Sequence, residues 1–560
     1  MIKAKAKLFA LIPIVGALSV CYVDFPPPPV SVTLSPSSAS VYVTESIQFT
    51  ATVKNSTNGA VTWYLYGGGC SGTSCGRISD TGLYTAPPIV PNPYSVTLQA
   101  ISVADPSQRA TAEIDIMPAG AVPEWTWESG SETVNRQGTY VRKGGTDPSN
   151  LPGARYGAVA WIDNSDKLWF FGGRGYDSAG YLGCLNDLWN YDLRYPGGGG
   201  YTWASGSDTV DQAGIHGSQG KGDPSNVPGA RYWASSWIDP GGKLWLFGGY
   251  GYDSAGNYGT LNDLWNYDPA TLQWTWVSGS NMVNQAGIHG TAGTADPSNV
   301  PGARGGAASW LDSQGNPWLF GGVGFDSSGN SGSLNDLWRY DPTTLQWTWV
   351  SGSNIADQIG VYGTRDTAGP SNVPGARRGA VSWIDSSGKL WLFAGYGFDS
   401  AGFGGRLNDL WRFDPTTLEW TWVSGSNTTD QTGIYGTRGT AGPSNVPGAR
   451  YGAISWIDPG GKLGLFGGNG YGSTDVHGSL NDLWKYDPAT QEWAWLSGDN
   501  KVDRTGIYGH MGQPHAADVP GGRELPVCWI DSSGKLRLFG GYGYDGYQAG
   551  YLNDLWQYIR

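Results

Sequence analysis

The chain has 560 residues and a formal net charge of −13, and this length predicts at least two folded units. Its 89 glycines and 34 prolines, with sparse charge, favour short strands joined by tight turns over helices. Its many aromatic residues can bury a large core, so a disordered chain is excluded. So acidic a chain is poorly suited to nucleic acid or to an anionic membrane surface, because phosphate groups need a basic face.

Residues 1–20 have the pattern of an export signal. Three lysines precede an apolar run, residues 8–20, that is too short to cross a bilayer. Leu18-Ser19-Val20-Cys21 resembles a bacterial lipobox with Cys21 as the lipidated residue, although Val20 stands where a small residue is usual. The alternative is ordinary cleavage after Ala17-Leu18-Ser19. A proline-rich tether over residues 21–29 favours the lipoprotein. Both predict an extracytoplasmic protein, secreted or at a bacterial cell surface, whose membrane contact is at most a lipid anchor.

Residues 30–118 form the first predicted unit. Alternating runs such as Ile47–Val53 and Ser95–Ala100 lie between Ser, Asn, Gly and Pro turns, which is typical of a small β-sandwich. The motifs Gln-Phe-Thr-Ala from residue 48, Val-Thr-Trp from residue 61 and Gly-Leu-Tyr-Thr-Ala-Pro from residue 82 resemble bacterial Ig-like domains of surface proteins. The resemblance implies a spacer.

The cysteines of this unit predict a disulfide. Cys70 and Cys75 are close enough in sequence for a short loop bridge in an oxidising compartment. Zinc is the weaker alternative, because no second Cys or His pair is near in sequence. The single cysteines Cys184 and Cys528 are expected to be packed free thiols.

Residues 119–560 form a repeat region. The stretch Leu-Asn-Asp-Leu-Trp occurs six times, and repeats one to six are numbered by these copies, which begin at Leu185, Leu261, Leu334, Leu407, Leu480 and Leu552. A copy contains Pro-Gly-Ala-Arg, a strand ending Trp-Ile-Asp, a strand Leu-Trp-Leu-Phe before a small-residue doublet, the Leu-Asn-Asp-Leu-Trp strand and a Trp-x-Trp strand. Four strands repeated in tandem predict propeller blades.

The doublet, Asn-Asp-Leu-Trp, the Tyr-Asp-Pro turn and the following Trp resemble kelch repeats. The copies are 72 to 76 residues apart, whereas a kelch blade has about 50. The excess lies in the inter-repeat loop, the connection from each Trp-x-Trp strand to the next Pro-Gly-Ala-Arg. Its constant length predicts an ordered loop. The resemblance implies an all-β fold, a six-bladed kelch propeller behind the Ig-like β-sandwich.

The two ends of the repeat region predict how the propeller closes. The last repeat stops at Arg560 without a Trp-x-Trp strand, and Trp125-Thr126-Trp127 precedes the first repeat. We therefore expect this N-terminal strand to complete the last blade.

Comparison among the six copies separates residues that are needed for the fold from residues that could contact a ligand. Most of the 29 tryptophans occupy shared motifs, which favours core packing over a sugar-binding platform. The positions that vary are the better ligand contacts. One set follows the motif arginine: Tyr156, Tyr232, Gly305, Arg378, Tyr451 and Glu524. The other follows the doublet: Arg174, Tyr250, Val323, Tyr396, Asn469 and Tyr542.

The motif arginines are a second candidate ligand set: Arg155, Arg231, Arg304, Arg377, Arg450 and Arg523. They could ring the channel mouth and bind carboxylates. The kelch resemblance implies the same, since peptide-binding kelch propellers use arginines near such positions for acidic ligands. In the alternative, each arginine pairs with an aspartate such as Asp409 and holds the loops. Their invariance favours this alternative.

Two features of the loops have similar alternatives. Aspartates follow Tyr or Phe in the loops after the doublets, as in Tyr176-Asp177-Ser178; they could bind calcium, but turn capping is favoured. The inter-repeat loops share one ring position, which could stack on a ligand or pack on a neighbouring blade: Tyr140, His216, His289, Tyr362, Tyr435 and Tyr508.

The kelch resemblance also implies an enzyme alternative, a copper-radical oxidase like galactose oxidase or another carbohydrate-active enzyme. Such oxidases hold copper with two His and two Tyr, one Tyr cross-linked to Cys. The five histidines show no matching context, and no nucleophile elbow, zinc-protease or phosphate-loop motif occurs. Paired loop carboxylates would leave no local signature. We predict a monomeric binding protein without metal or cofactor, whose loop face binds an extracellular glycan or protein segment.

Overall fold

The computed structural model describes residues 28–559 except 37, 68–69, 90, 92–94, 118–123, 164, 193–199, 515–517 and 532. The predicted signal and Cys21 lie outside the described residues. The chain divides into two compact units, Met1–Ala119 and Gly120–Arg560. The described part is built from strands with one 3-10 turn, which confirms the all-β prediction. No helix among the described residues is long and apolar enough to span a membrane.

The described residues of the first unit form nine strands around one core. They are β1 (Ser31–Ser35), β2 (Ser38–Tyr42), β3 (Ser46–Gln48), β4 (Thr50–Lys54), β5 (Val61–Tyr66), β6 (Arg77–Ile78), β7 (Leu83–Thr85), β8 (Ser95–Ser102) and β9 (Arg109–Met117). The sheets have the orders β2-β9-β8-β5, β3-β7-β6 and β1-β4. β2 runs parallel to β9. Phe49, Tyr84 and Leu98 are buried in the core. A disulfide joins Cys70 to Cys75.

The repeat unit begins with β10 (Glu124–Ser129) and continues through the six repeats. Repeats one to three contain β11 (Arg155–Tyr156), β12 (Val159–Ile162), β13 (Lys167–Phe171), β14 (Arg174–Tyr176), β15 (Leu182–Cys184), β16 (Leu188–Asp192), β17 (Tyr201–Ser205), β18 (Arg231–Tyr232), β19 (Ser235–Ile238), β20 (Leu244–Tyr252), β21 (Tyr258–Asp268), β22 (Gln273–Ser278), β23 (Ala295–Asp296), β24 (Arg304–Gly305), β25 (Ala308–Leu311), β26 (Pro317–Phe325), β27 (Ser331–Asp341) and β28 (Gln346–Ser351).

Repeats four to six contain β29 (Arg377–Arg378), β30 (Val381–Ile384), β31 (Leu390–Phe398), β32 (Gly404–Asp414), β33 (Glu419–Ser424), β34 (Ala441–Gly442), β35 (Arg450–Tyr451), β36 (Ile454–Ile457), β37 (Leu463–Phe466), β38 (Asn469–Tyr471), β39 (His477–Ser479), β40 (Leu483–Asp487), β41 (Glu492–Ser497), β42 (Arg523–Glu524), β43 (Val527–Ile530), β44 (Leu536–Tyr544) and β45 (Ala549–Ile559).

Repeat four illustrates the shared antiparallel sheet, in which β30, β31, β32 and β33 pair in sequence order. Trp383 pairs with Trp391, and Trp411 pairs with Trp422. The aromatic and aliphatic side chains on these strands pack between neighbouring sheets. Trp391 and Phe393, for example, share a core with Trp484 and Tyr486 of repeat five. Most tryptophan rings of the shared motifs are therefore core residues, as predicted.

The sheets follow one another around a closed circle. The short strands β12, β19, β25, β30, β36 and β43 each contact the next, and β43 contacts β12. The sheet of repeat six receives its outermost strand from β10, with Trp125 opposite Tyr558 and Trp127 opposite Trp556. This pairing is the exchange that the sequence predicts.

Candidate functional site

A ring of backbone hydrogen bonds lies at the centre of the circle. In each repeat the residue two places after the motif arginine donates its N–H to the carbonyl of its counterpart in the preceding repeat, at 2.7 to 2.9 Å. Gly157 donates to Leu525 and thereby closes the ring. All six have positive φ: Gly157, Trp233, Gly306, Gly379, Gly452 and Leu525. The ring joins all six repeats through main-chain atoms.

Trp233 and Leu525 stand where the other four repeats have glycine. Their φ angles are 60° and 50°, a conformation that costs a side-chain-bearing residue about 1–2 kcal/mol. The Trp233 indole lies over Gly306, where a Cβ would come within 2.7 Å of it. Tyr250 stacks on Trp233 and takes the space beside Gly305. Strain retained where the other repeats keep glycine points to a function for the side chain.

A cavity of about 340 Å³ lies over this ring. Its lining is formed by Tyr156, Tyr232, Trp233, Arg378, Tyr396, Arg406, Tyr451, Glu524 and Leu525. These side chains come from five of the six repeats, because repeat three carries small residues at the equivalent positions. We call this cavity the central pocket. Aromatic walls with a few charged groups are typical of small-ligand sites.

The charged groups of the central pocket keep unused hydrogen-bonding capacity. Arg378 stacks over Tyr396 at 4.5 Å, and its guanidinium has no hydrogen bond or ion pair with the described residues. Arg406 donates to Oδ1 of Asn469 through Nε at 3.2 Å and Nη2 at 2.7 Å. The buried Oε2 of Glu524 accepts no hydrogen bond from any residue that the structure describes.

Burial controls the titration of this site. Burial raises the pKa of the Glu524 carboxyl, while the neighbouring Tyr451 hydroxyl and the charge of Arg406 partly oppose it. Burial and the neighbouring Glu524 raise the pKa of Tyr451 to about 12. An acceptor held away from water, beside a guanidinium with free donors, is suited to a ligand that both donates and accepts hydrogen bonds.

The structure brings much of the variable set together. Tyr156, Tyr232, Arg378, Tyr396, Tyr451 and Glu524 line the central pocket. Four further members of the two sets contact residues at the centre from outside the lining. Tyr250 stacks on Tyr232 with ring centroids 5.6 Å apart, and Tyr542 packs against Tyr156 at 6.2 Å. Asn469 accepts a hydrogen bond from Arg406 at 2.7 Å, and Arg174 interacts with Tyr551.

Sequence reasoning missed four residues of this region. Trp233 and Leu525 depart from the repeat at a glycine position, and this departure was a readable signal. Arg406 and Tyr551 lie directly across the hairpin from Tyr396 and Tyr542. Their positions also vary among the copies, but only the hairpin register shows that they face the centre.

Two larger clefts, of about 580 and 440 Å³, lie elsewhere on the repeat unit. Lys243, Asp268 and Gln273 line the first, and Arg438 and Asp499 line the second. Neither contains a residue of the two variable sets, so the central pocket is the better candidate.

A large part of the repeat unit matches a known family. Two overlapping stretches, residues 139–351 and 221–421, match the KLHDC2/KLHL20/DRC7 Kelch-repeats domain. Together they span just over half of the 560 residues. The chain belongs to the kelch-repeat family. The kelch-repeat β-propeller that the motifs predict is thereby confirmed.

Solved structures give weaker likenesses. The structure of YjhT is 17% identical with a TM-score of 0.44, and the match covers 72% of this chain and 95% of that one. A crystal structure of a protein of unknown function from Bacteroides thetaiotaomicron is 10% identical with a TM-score of 0.40, covering 96% of this chain and 99% of that one. Neither likeness carries a functional argument. No curated protein matches the chain.

The motif arginines of the kelch repeats are buried in ion pairs. Arg377 Nη1 and Nη2 donate to the two carboxylate oxygens of Asp409 at 2.6 and 2.8 Å. Asp409 also accepts from Tyr362 and Trp411 at 2.6 and 2.7 Å. All six arginines, Arg155, Arg231, Arg304, Arg377, Arg450 and Arg523, are at most 1% exposed. This geometry favours the structural alternative, in which the arginines hold the loops and do not contact a ligand.

The ring position of the inter-repeat loops belongs to the same networks. Tyr140, Tyr362, Tyr435 and Tyr508 each donate to the aspartate of their own repeat at 2.6 to 2.7 Å. His216 and His289 replace the tyrosine in repeats two and three, with Nε2 at 3.3 and 3.1 Å from the aspartate. These rings tie each ordered loop to its sheet and pack as core.

The loop aspartates serve as turn caps. Asp253 Oδ1 accepts from the backbone N–H of Ala255 and Asn257 at 2.8 Å, and its Oδ2 accepts from Val283 at 3.3 Å. In the described part of the chain no three His, Cys, Asp or Glu side chains are grouped to hold a metal. His216 and His289 lie in the networks of different repeats, so these two do not form the paired histidines of a copper oxidase.

The two single cysteines are free thiols. Burial raises the pKa of both Cys184 and Cys528 to about 12. Cys528 Sγ donates to the carbonyl of Ser455 at 3.5 Å, as Ser455 does to Ser382 at 3.1 Å. Cys528 therefore fills a serine position on the innermost strands.

Proposed function

We propose that this chain is an exported recognition protein whose central pocket binds a glycan or a protein segment. The observation that carries the proposal is the buried, unpaired acceptor of Glu524 in a cavity floored by the strained Trp233. A buried polar atom without a partner is costly. Its retention is accounted for when a ligand supplies the missing donor.

The floor of the central pocket supports a binding role rather than a transport role. The backbone ring crosses the centre of the circle, and the indole of Trp233 covers two of its glycines, Gly306 and Gly379. A ligand that enters from the loop side therefore meets a closed end. Such a dead-end cavity lets an aromatic floor and polar walls act on the same bound group.

The same proposal covers the number of blades, the closure of the ring and the role of the first unit. We interpret the circle of sheets as a six-bladed propeller latched by β10, and the first unit as an Ig-like sandwich that spaces it from the cell surface. Support comes from the closed contacts of the inner strands and from the mixed sheet β2-β9-β8-β5. The basic and apolar residues 1–20 support export, with Cys21 as the proposed lipid anchor.

The test is Trp233→Gly, which installs the residue that four of the repeats already carry. Relief of the strained φ offsets the lost packing, so the melting temperature should stay within about 3 °C of the wild-type value. Binding to glycan and peptide arrays should fall by at least about tenfold, because a fully used aromatic contact is worth about 1.4 kcal/mol or more.

A matched control is Leu345→Gly. Leu345 also has a positive φ, of 59°, but it is 55% exposed and lies outside the central pocket. Its replacement should leave binding unchanged. Equal binding by the wild type and Trp233→Gly would overturn the proposed site.

A further inference from the structure

We propose that the ligand is a glycan chain rather than a single sugar or a peptide, and that it continues from the central pocket across the junction of repeats six and one. This inference rests on the proposed function and deepens it. One sugar ring would occupy the pocket, and the next rings would lie along a path of four tyrosines. We call Tyr156, Tyr551, Tyr542 and Tyr176 the tyrosine path.

The tyrosine path starts inside the central pocket and runs outward. Tyr156 lines the pocket, and its ring lies 5.5 Å from that of Tyr551. Tyr551 in turn contacts Tyr542 at 5.4 Å and Tyr176 at 5.6 Å. Tyr542 is 37% exposed, whereas Tyr156 is half-buried. The rings therefore form a continuous surface from a buried end to an accessible one.

Only repeat six pairs two rings directly across its hairpin at this position. The position of Tyr551 holds Cys184, Thr260, Ser333, Arg406 and Ser479 in the other repeats. Arg406 bridges to repeat five instead, through Asn469 and the faces of Tyr451 and Tyr471. The centre is therefore polarised, with Arg378 and Arg406 at repeat four and a run of tyrosines over repeats six, one and two.

Exposed aromatic residues flank the outer end of the tyrosine path. Tyr181 of repeat one is 68% exposed, and Tyr547 of repeat six is 85% exposed, each at the tip of the loop within its hairpin. Repeats two and three carry Asn257 and Asn330 at the position of Tyr181, and repeat four carries the exposed Phe403. Of these exposed rings, Tyr181 and Tyr547 lie in the two repeats that carry the tyrosine path.

The lining favours a glycan over the other partners of the same size. A sugar ring offers an apolar C–H face for an aromatic ring and a rim of hydroxyls for hydrogen bonds. A peptide that binds by strand addition needs free backbone groups to pair with. Here Tyr542 and Tyr551 face each other across a fully paired hairpin. Arg174 beside the tyrosine path interacts with the hydroxyl of Tyr551, while the four rings themselves present uncharged surface.

The test measures how affinity depends on chain length. The full chain is titrated by calorimetry with cello-, manno-, chito- and galacturono-oligosaccharides of one to six sugar rings. In the series that binds, affinity should rise about tenfold between one and three rings, as one stacked ring contributes, and then level off. Tyr551→Ser, which installs the residue of repeats three and five, should reduce that ratio towards one.

The matched control is Phe403→Asn, which changes an exposed loop-tip ring of repeat four, 69% exposed, to the residue of repeats two and three. It should keep the wild-type ratio. Equal affinity for one and six rings, or a ratio that Tyr551→Ser leaves unchanged, would overturn the inference while the pocket stands. If only peptides bind, and binding is lost in Trp233→Gly, the glycan inference fails and the proposed function survives. If Trp233→Gly binds every probe as well as the wild type, the proposed function fails first.

Discussion

Arg377 grips both carboxylate oxygens of Asp409 in a site that water does not reach: the two side chains are at most 1% exposed. The same pair occurs in every repeat, from Arg155–Asp187 to Arg523–Asp554. It joins the entry of the innermost strand to the Leu-Asn-Asp-Leu-Trp strand. A charge pair buried this deeply is tolerated because Tyr362 and Trp411 satisfy the remaining acceptor capacity of Asp409.

Asp409→Asn should destabilise the repeat unit by about 3–5 kcal/mol, because it leaves the Arg377 guanidinium buried without its counter-charge. Urea unfolding followed by tryptophan fluorescence measures the loss. The control is Asp487→Asn, which breaks the partly exposed Lys462–Asp487 pair and should cost about 1 kcal/mol or less. Similar costs for the two variants would show that the buried pairs do not hold the sheets.

Stability should fall in acid through the same networks. Burial raises the pKa of Asp263 and Asp336, but the charges and hydrogen bonds of Arg231 and Arg304 outweigh it and hold both pKa values well below the usual range. Groups with a lowered folded-state pKa stabilise the fold above their unfolded value of about 3.9, and this contribution is lost as the pH falls below that value. The urea midpoint should therefore drop between about pH 5 and pH 2. A flat profile over this range would contradict the assignment.

Glu524 should titrate with the opposite sign. Its folded-state pKa is raised by burial, so its contribution to stability is full at low pH and declines as the pH rises above about 4.3. Glu524→Gln removes this decline. The variant should therefore gain stability relative to wild type as the pH rises from about 4 to 7, and the two chemical denaturation curves should converge in acid. A difference in stability between the two proteins that does not change with pH would show that burial does not oppose the ionisation of Glu524.

His289→Tyr should stabilise the chain by about 1 kcal/mol. His289 reaches Asp336 with Nε2 at 3.1 Å, but its buried Nδ1 has no hydrogen-bond partner among the described residues. The equivalent Tyr362 makes its bond at 2.6 Å. The reverse change, Tyr362→His, should destabilise the chain by a similar amount. Thermal melts that move in the same direction for both variants would contradict this pairing.

Trp125→Ala should cost as much as a core mutation inside a sheet, although Trp125 precedes the first repeat. Its ring is 1% exposed and contacts Tyr558 at 4.9 Å and Phe466 at 5.2 Å. We expect a loss of about 3–5 kcal/mol, matching Trp274→Ala at the equivalent position of repeat two. An unchanged melting temperature for Trp125→Ala alone would show that β10 does not hold the last sheet.

The sequence is informative about this fold because the same strand and turn motifs recur in every repeat. The period-2 strands, the doublet turns and the orphan Trp125-Thr126-Trp127 are sufficient to predict the sheets and the strand exchange. The sequence also offers Asp409 as the partner of Arg377, but it cannot exclude a surface arginine, since burial depends on how the loop carrying Tyr362 folds back.

The pocket is harder to predict because its parts come from five repeats. Copy-to-copy variation identifies Tyr156, Arg378 and Tyr396, which line it. Variation alone does not show that Trp233 lies over Gly306, since the indole turns across a repeat boundary into space that two glycines leave open. It also does not show that Tyr551 and Tyr542 face each other, because this depends on the hairpin register.

The pairing of β10 with β45 affects the order in which the repeat unit can fold. A chain that emerges from a ribosome or an export channel with its N-terminus first presents Trp125 and Trp127 long before Tyr558 and Trp556 exist to cover them. The sheets of repeats one to five can form while these two indoles are still exposed to solvent. We therefore expect the last step of folding to await β45. Until then, the unpaired β10 is the strand most in need of a chaperone.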